Sequence, residues 1–165
     1  ATGPMRLDAP LLRPDLDAIK RRAAHLEAAG FDGCFSFEGP REPFMPLLLT
    51  AEHSSKLEVM TGLAIAFARN PMITANIAND LHTYSGGRFI LGLGTQIKPH
   101  IESRYSMPWG KPVTRMREFI QAMHAIWACW EHGEPLNFQG EFYQIPNVEH
   151  GQFFSNPLEF ASIHW

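Results

Sequence analysis

The feature that most constrains this chain is a repeating order of segments. Residues 5–12, 31–37, 57–68 and 88–94 read as strands, and each is followed by a stretch whose apolar residues recur at helical spacing. The strand starts lie 26, 26 and 31 residues apart, the spacing of parallel strands joined by crossover helices. Local signals support the helices. Pro14 opens the first, whose apolar face carries Leu16, Ile19, Ala23 and Leu26, and Gly30 closes it. The second is expected over residues 43–55. Asn70 and Pro71 supply an N-cap followed by proline at the first helical position, and the third helix runs on to Ser85. Val113, Met116, Ile120, Met123, Trp127 and Trp130 form a broad stripe on a fourth helix that ends near Gly133. Residues 57–68 are apolar almost throughout, which predicts one long strand buried on both faces.

The fold class is therefore α/β, with four successive strand-helix units. Two architectures accommodate them. A complete (β/α)8 barrel of the TIM type takes about 250 residues, so four units would be its first half, whereas a small doubly wound open sheet would be complete in 165 residues. After Gly133 no further strand-helix unit is evident, and the sequence ends on the bulky apolar residues Ile163 and Trp165. The expectation is a chain cut or diverted at that point. Residues 1–4 precede the first methionine and read as an appended remnant; residues 5–143 form the main domain and residues 144–165 a divergent tail.

Composition excludes several classes of function. A content of 45% hydrophobic and 19% charged residues suits one ordinary globular core. The formal net charge of -3 offers no basic stripe for nucleic acid, and no apolar run reaches membrane-spanning length. With only Cys34 and Cys129, and no apolar leader in the opening residues, a reducing cytoplasm is expected. No metal site is expected, because neither HExxH spacing nor a paired-cysteine motif occurs.

The stretch SGGRFILGLGTQIKPHIESRYSMPW, residues 85–109, carries the strongest motif. A dinucleotide fingerprint needs three spaced glycines at the first strand-to-helix turn. Gly92 and Gly94 supply two, Ile97 stands where the third belongs, and the motif follows the fourth strand. His100 and Glu102, two residues apart, do not share a helix face and do not make a metal pair. Ligands in parallel strand-helix folds lie beyond the carboxyl ends of the strands, which makes Asp8, Glu38, residues 66–70 and Gly94, Thr95 and Gln96 the candidates. Glycines there either admit a flat ring against the strand end or merely shape the turn.

The same residues resemble a known family. AFARNPM, SGGRFILGLGTQ and RMREF, within a collinear match over residues 5–143, are similar to the bacterial luciferase-like superfamily, and most to its branch using the deazaflavin coenzyme F-420. The resemblance implies the N-terminal half of a TIM-type barrel whose cofactor ring sits at the carboxyl ends of the strands and exchanges hydride with a small organic substrate. It implies that Ala64, Ile65, Ala66 and Phe67 line one face of the ring, often with a non-proline cis peptide nearby, and that Gly94, Thr95 and Gln96 meet the ring. Glu38 falls at the acidic position ending the second strand. Many relatives place a histidine directly after that acid; here Gly39 and Pro40 follow, so Glu38 and, as runner-up, His100 are the candidate proton carriers. The resemblance also implies a homodimer through the helices at residues 43–55 and 70–85. The alternatives are an FMN-dependent monooxygenase of the same family, or a non-catalytic flavin-binding or interaction module, since the four later units that anchor the cofactor tail are absent from these 165 residues.

Overall fold

A computed structural model of the chain describes residues 5–12 and 15–148. Pro14, residues 1–4 and most of residues 144–165, with Ile163 and Trp165, lie outside the described residues. In chain order the elements are β1 (Asp8–Pro10), α1 (Leu16–Ala28), β2 (Gly33–Ser36), α2 (Phe44–Glu52), β3 (Glu58–Thr61), β4 (Ala64–Ile65), a 3-10 turn (Ala66–Ala68), α3 (Pro71–Tyr84), β5 (Phe89–Ile90), β6 (Leu93–Gly94), a π-helical turn (His100–Arg104), α4 (Pro112–His132), β7 (Leu136–Gln139) and β8 (Gln144–Val148). The chain divides into two compact units: Ala1–Ala64 with Leu81–Leu93, and Ile65–Asp80 with Gly94–Trp165.

The first unit holds a four-stranded parallel sheet in the order β1-β2-β3-β5. Sequential order without reversal is what right-handed crossovers wound in one direction produce. Asp15 caps α1 by accepting from the Asp17 amide at 3.2 Å, and Gly30, at φ 81°, turns the chain out of the helix. Ile19, Ala23 and Leu26 of α1, Leu47 of α2 and Cys34 and Val59 of the sheet are buried. Each large aliphatic side chain so buried contributes roughly 1.5–3 kcal/mol. The ring of Phe44 packs on that of Phe89, centroids 6.3 Å apart. Burial pushes the Cys34 thiol up to about 11, against the Thr50 hydrogen bond that would lower it, so this cysteine is an unreactive core residue.

The segment expected as one strand, residues 57–68, is instead β3, a break, β4 and a 3-10 turn. A cis peptide joins Gly62 to Leu63, and a Cβ on Gly62 would come within 3.1 Å of the Phe35 ring. The fourth predicted strand is likewise two short pieces, β5 and β6. Between them Gly92 lies so close to β3 that a Cβ on it would sit 2.1 Å from the Thr61 carbonyl oxygen. The Thr61 hydroxyl fills the notch, donating to Gly92 O and accepting from Gly92 N, both at 2.8 Å.

The second unit is built on α4. Phe119, Met123 and Ile126 are buried, the Trp127 indole donates to Ala75 O at 3.3 Å, and Gly133, at φ 68°, terminates the helix in the left-handed conformation glycine favours. Val113 and Ile120, expected on the apolar stripe, are exposed. Beyond α4 comes a unit the strand-helix pattern did not predict, the antiparallel hairpin β7-β8, whose pairing crosses the domain boundary placed at residue 143. Glu118 of α4 holds its turn, accepting from the amides of Glu141 at 3.1 Å and Phe142 at 2.8 Å. Burial acts to raise the Glu118 pKa, but these backbone bonds prevail and hold it below the usual carboxylate value.

Candidate functional site

In the first unit the carboxyl ends of the strands are Leu11, residues 36–38 and residues 61–63. Leu11 N still bonds Phe35 O at 2.8 Å, so β1 ends there. Asp8 is its first residue, in register with Gly33 at the start of β2, and therefore lies at the amino end, opposite to the expectation. Its Oδ1 is buried without a hydrogen-bond partner. Glu38 follows β2 as expected. Its amide donates to Leu63 O at 3.1 Å, which fixes the backbone of the loop, and its side chain is half-buried. Ala64 N donates to Gly92 O at 2.8 Å.

In the second unit Ile65, Ala66 and Phe67 are fully buried, as is Ala64 in the first. Phe67 is already committed to packing: the Trp109 ring meets it edge-on at 5.6 Å and the Arg115 guanidinium lies 4.3 Å above its face. Arg115 was not among the candidates, although RMREF contains it. It is buried on α4, donates to Tyr143 Oη at 3.0 Å and to Pro108 O, and stacks on two aromatic faces. A helix-stripe pattern assigns such a cation to solvent; only the tertiary partners place it inside.

Gly94 ends β6 and Thr95 and Gln96 follow it directly, all three half-buried. Gln96 has φ 62°, a left-handed conformation that costs a non-glycine residue of order 1–3 kcal/mol and is concentrated at functional loops. Thr95 Oγ1 donates to Gln96 O at 3.0 Å, and Gln96 Oε1 accepts from Ile97 N at 3.1 Å. The amide oxygen is thereby used, and Gln96 Nε2 has no partner among the described residues: a half-buried donor free to meet a ligand oxygen. His100 follows on the π-helical turn with its side chain exposed, beside the 3.9 Å Lys98–Glu102 ion pair. Among the described residues no group of three or more His, Cys, Asp or Glu could hold a metal ion, and no helix is long and apolar enough to cross a membrane.

Parallel strand-helix units in sequential order describe an α/β protein. The model of the luciferase-like monooxygenase family matches residues 2–161, and the chain belongs to that family. An uncharacterized protein of Mycobacterium tuberculosis is 62% identical over 121 residues, 73% of this chain and 36% of that protein. A second Mycobacterium tuberculosis protein, named "putative coenzyme F-420-dependent oxidoreductase", is 32% identical over 129 residues, 78% of this chain and 36% of that one. Among solved structures, the coenzyme F-420-dependent tetrahydromethanopterin reductase of Methanopyrus kandleri matches 89% of this chain and 46% of its own with a TM-score of 0.73 at 20% identity. The FMN complex of the oxygenating constituent of 3,6-diketocamphane monooxygenase from Pseudomonas putida matches 90% and 46% with a TM-score of 0.74 at 15% identity. The matches thus span little more than a third of these curated relatives and about half of these solved chains, and the structural matches establish the α/β fold.

Proposed function

We propose that this chain is part of an oxidoreductase that transfers hydride between coenzyme F-420 and a small organic substrate, and that it supplies the first half of a TIM-type barrel. The observation that carries the proposal is the turn at residues 94–96, with its left-handed Gln96 and unpaired amide donor. A deazaflavin presents carbonyl oxygens along one ring edge, and Gln96 Nε2 is the donor type that edge requires; the Thr95 hydroxyl, which donates to Gln96 O, would serve as a second donor on turning from that carbonyl. When bound, the deazaflavin supplies the hydride chemistry. The chain's own part is to orient the ring edge through Gln96 and Thr95 and to manage the accompanying proton. Glu38, half-buried on the loop after β2, is the first candidate for that proton, and exposed His100 the second. The choice of F-420 over FMN follows the 32%-identical relative's name.

Titration with F-420 and with FMN, followed by absorbance and fluorescence, tests the reading on this chain and on a form carried to the length of its relatives. Gly94→Phe should abolish binding by filling the turn. Thr95→Val should weaken it several-fold, by about 1 kcal/mol, and His100→Ala should leave affinity unchanged. If Gly94→Phe binds as well as the parent, residues 94–96 are only a turn. Stronger uptake of FMN than of F-420 would select the monooxygenase branch instead.

A homodimer belongs to the same proposal. Met45 and Leu48 of α2 are exposed apolar residues, as are Ile73 and Tyr84 of α3. Sedimentation should show a dimer or larger species at micromolar concentration, and a well-folded monomer would remove this part of the reading.

A further inference from the structure

Between Gln96 and α4 the chain has little regular structure beyond the π-helical turn at His100–Arg104. Gln96, at φ 62°, and Ser106, at φ 53°, are both left-handed and neither is glycine. Backbone held in that region persists only where its surroundings impose it. The backbone bonds within the segment are local, such as Ile101 N to Ile97 O at 3.1 Å, Tyr105 N to His100 O at 3.2 Å and Met107 N to Ile101 O at 3.0 Å. Anchors outside the segment must therefore hold it.

Near its start Ile101 is fully buried. Near its end the Arg115 guanidinium of α4, only 5% exposed, donates to Pro108 O and, through Nε, to Tyr143 Oη at 3.0 Å. The same group lies 4.3 Å from the centre of the Phe67 ring, and Trp109 meets that ring edge-on at 5.6 Å. An apolar side chain of similar length would fill this space without desolvating a charge. What the planar fork adds is attachment of several segments at once: residues 97–110 through Pro108, the 3-10 turn through Phe67 and the hairpin through Tyr143. All of these residues, with Gln96, belong to the second unit.

We propose that residues 97–110 form a strap latched by Arg115, and that Arg115 is a positioning residue: without touching a ligand it holds the strap closed and, through the strap, keeps Gln96 in the left-handed conformation that frees its amide. The positioning role rests on the cofactor reading above; the latch does not.

Hydrogen exchange of the intact chain reads the latch with no cofactor present. Arg115→Met should speed exchange of the Ile101, Tyr105 and Met107 amides about tenfold or more, while the amides of Val59 in the first unit and Ile126 in α4 keep their rates. Tyr143→Phe keeps the ring against Phe119, centroids 5.5 Å apart, and removes only the acceptor; it should speed the same strap amides several-fold and serves where Arg115→Met does not fold. Arg115→Lys should recover less than half of the lost protection, because an ammonium cannot reach Pro108 O and Tyr143 Oη while stacking on Phe67. Unchanged exchange in the strap, equal loosening of all amides, or full recovery by lysine overturns the latch. Titration with F-420 and FMN, on the form carried to the length of its relatives, reads the positioning role. Arg115→Met and Gln96→Ala should each weaken binding several-fold, and together no more than the larger of the two alone, since both act through one donor. Additive losses, or an Arg115→Met protein with a loosened strap and unchanged affinity, overturn the positioning role. A parent that takes up neither F-420 nor FMN overturns the cofactor reading and the positioning role with it, while the exchange result still decides the latch.

Discussion

Gly92→Ala should yield no folded protein. The added Cβ would lie 2.1 Å from the Thr61 carbonyl oxygen and 3.2 Å from its carbon, both backbone atoms of β3, where no side chain can swing aside. Relief requires β3 and the chain at Gly92 to separate by more than an ångström. That would break the paired 2.8 Å bonds between Thr61 Oγ1 and the Gly92 backbone and stretch the 2.8 Å bond from Ala64 N to Gly92 O. A penalty above about 4 kcal/mol is expected, a large share of the 5–15 kcal/mol that stabilises an ordinary domain. Thr61→Val is the comparison: it keeps the shape and removes only the hydroxyl's two bonds, so it should fold and lose about 1–3 kcal/mol. Far-ultraviolet circular dichroism and urea titration of the soluble fraction read both. A Gly92→Ala protein as stable as the parent would show that the approach of the two segments is not built into the fold.

Arg88→Ala should cost about 3–5 kcal/mol, measured as a fall in the urea midpoint at unchanged slope. The Arg88 guanidinium donates to Ser85 O at 2.8 Å, Leu57 O at 2.7 Å, Ala51 O at 3.0 Å, Ser54 O at 3.1 Å and Ser54 Oγ at 3.2 Å. It thus caps the carbonyl end of α2, where a cation also meets the negative pole of the helix, and ties that end to the entry of β3 and the exit of α3. Removing the fork leaves carbonyls unpaired in a half-buried site. Arg88→Lys should recover less than half of the loss, since an ammonium on a flexible stem cannot span these acceptors at once. Full recovery by lysine would mean that charge, not the planar fork, is what matters there.

These two residues show where sequence reading stops. The order of strands and helices was legible because burial on both strand faces and the 3.6-residue stripe leave composition signals, and the caps at Asn70 and Gly133 were legible because capping chemistry is local. Asn70 Oδ1 does accept from Ile73 N at 2.9 Å. SGGRF was legible as a family motif, but its roles were not. Gly86 and Gly87 take φ 65° and 85° to leave α3, and Arg88 binds carbonyls more than thirty positions back in the sequence. Nothing in the local pattern distinguishes that cation from a solvated one. Residues 57–68 read as one strand because a cis peptide has no composition signature. The β7-β8 hairpin did leave one, Leu136 and Phe138 alternating ahead of Gly140, but a search for strand-helix units passes over an antiparallel pair. Of the candidate site, Glu38, Gly94, Thr95 and Gln96 were picked out by their position at or after strand ends; the free amide of Gln96 depends on a dihedral angle and could only be seen in three dimensions.

The hold of Glu118 on the hairpin sets a rule for how this sequence can drift over generations. A Cβ at Gly140 would come 2.4 Å from Glu118 Oε2 and 3.0 Å from Tyr143 O, so a side chain at 140 is tolerable only after the carboxylate has moved. Moving it releases the Glu141 and Phe142 amides it now satisfies. Position 140 is therefore expected to stay glycine in every descendant that keeps the acid at 118, whereas one that loses the acid sheds the shortest of these clashes and meets only the 3.0 Å approach to Tyr143 O.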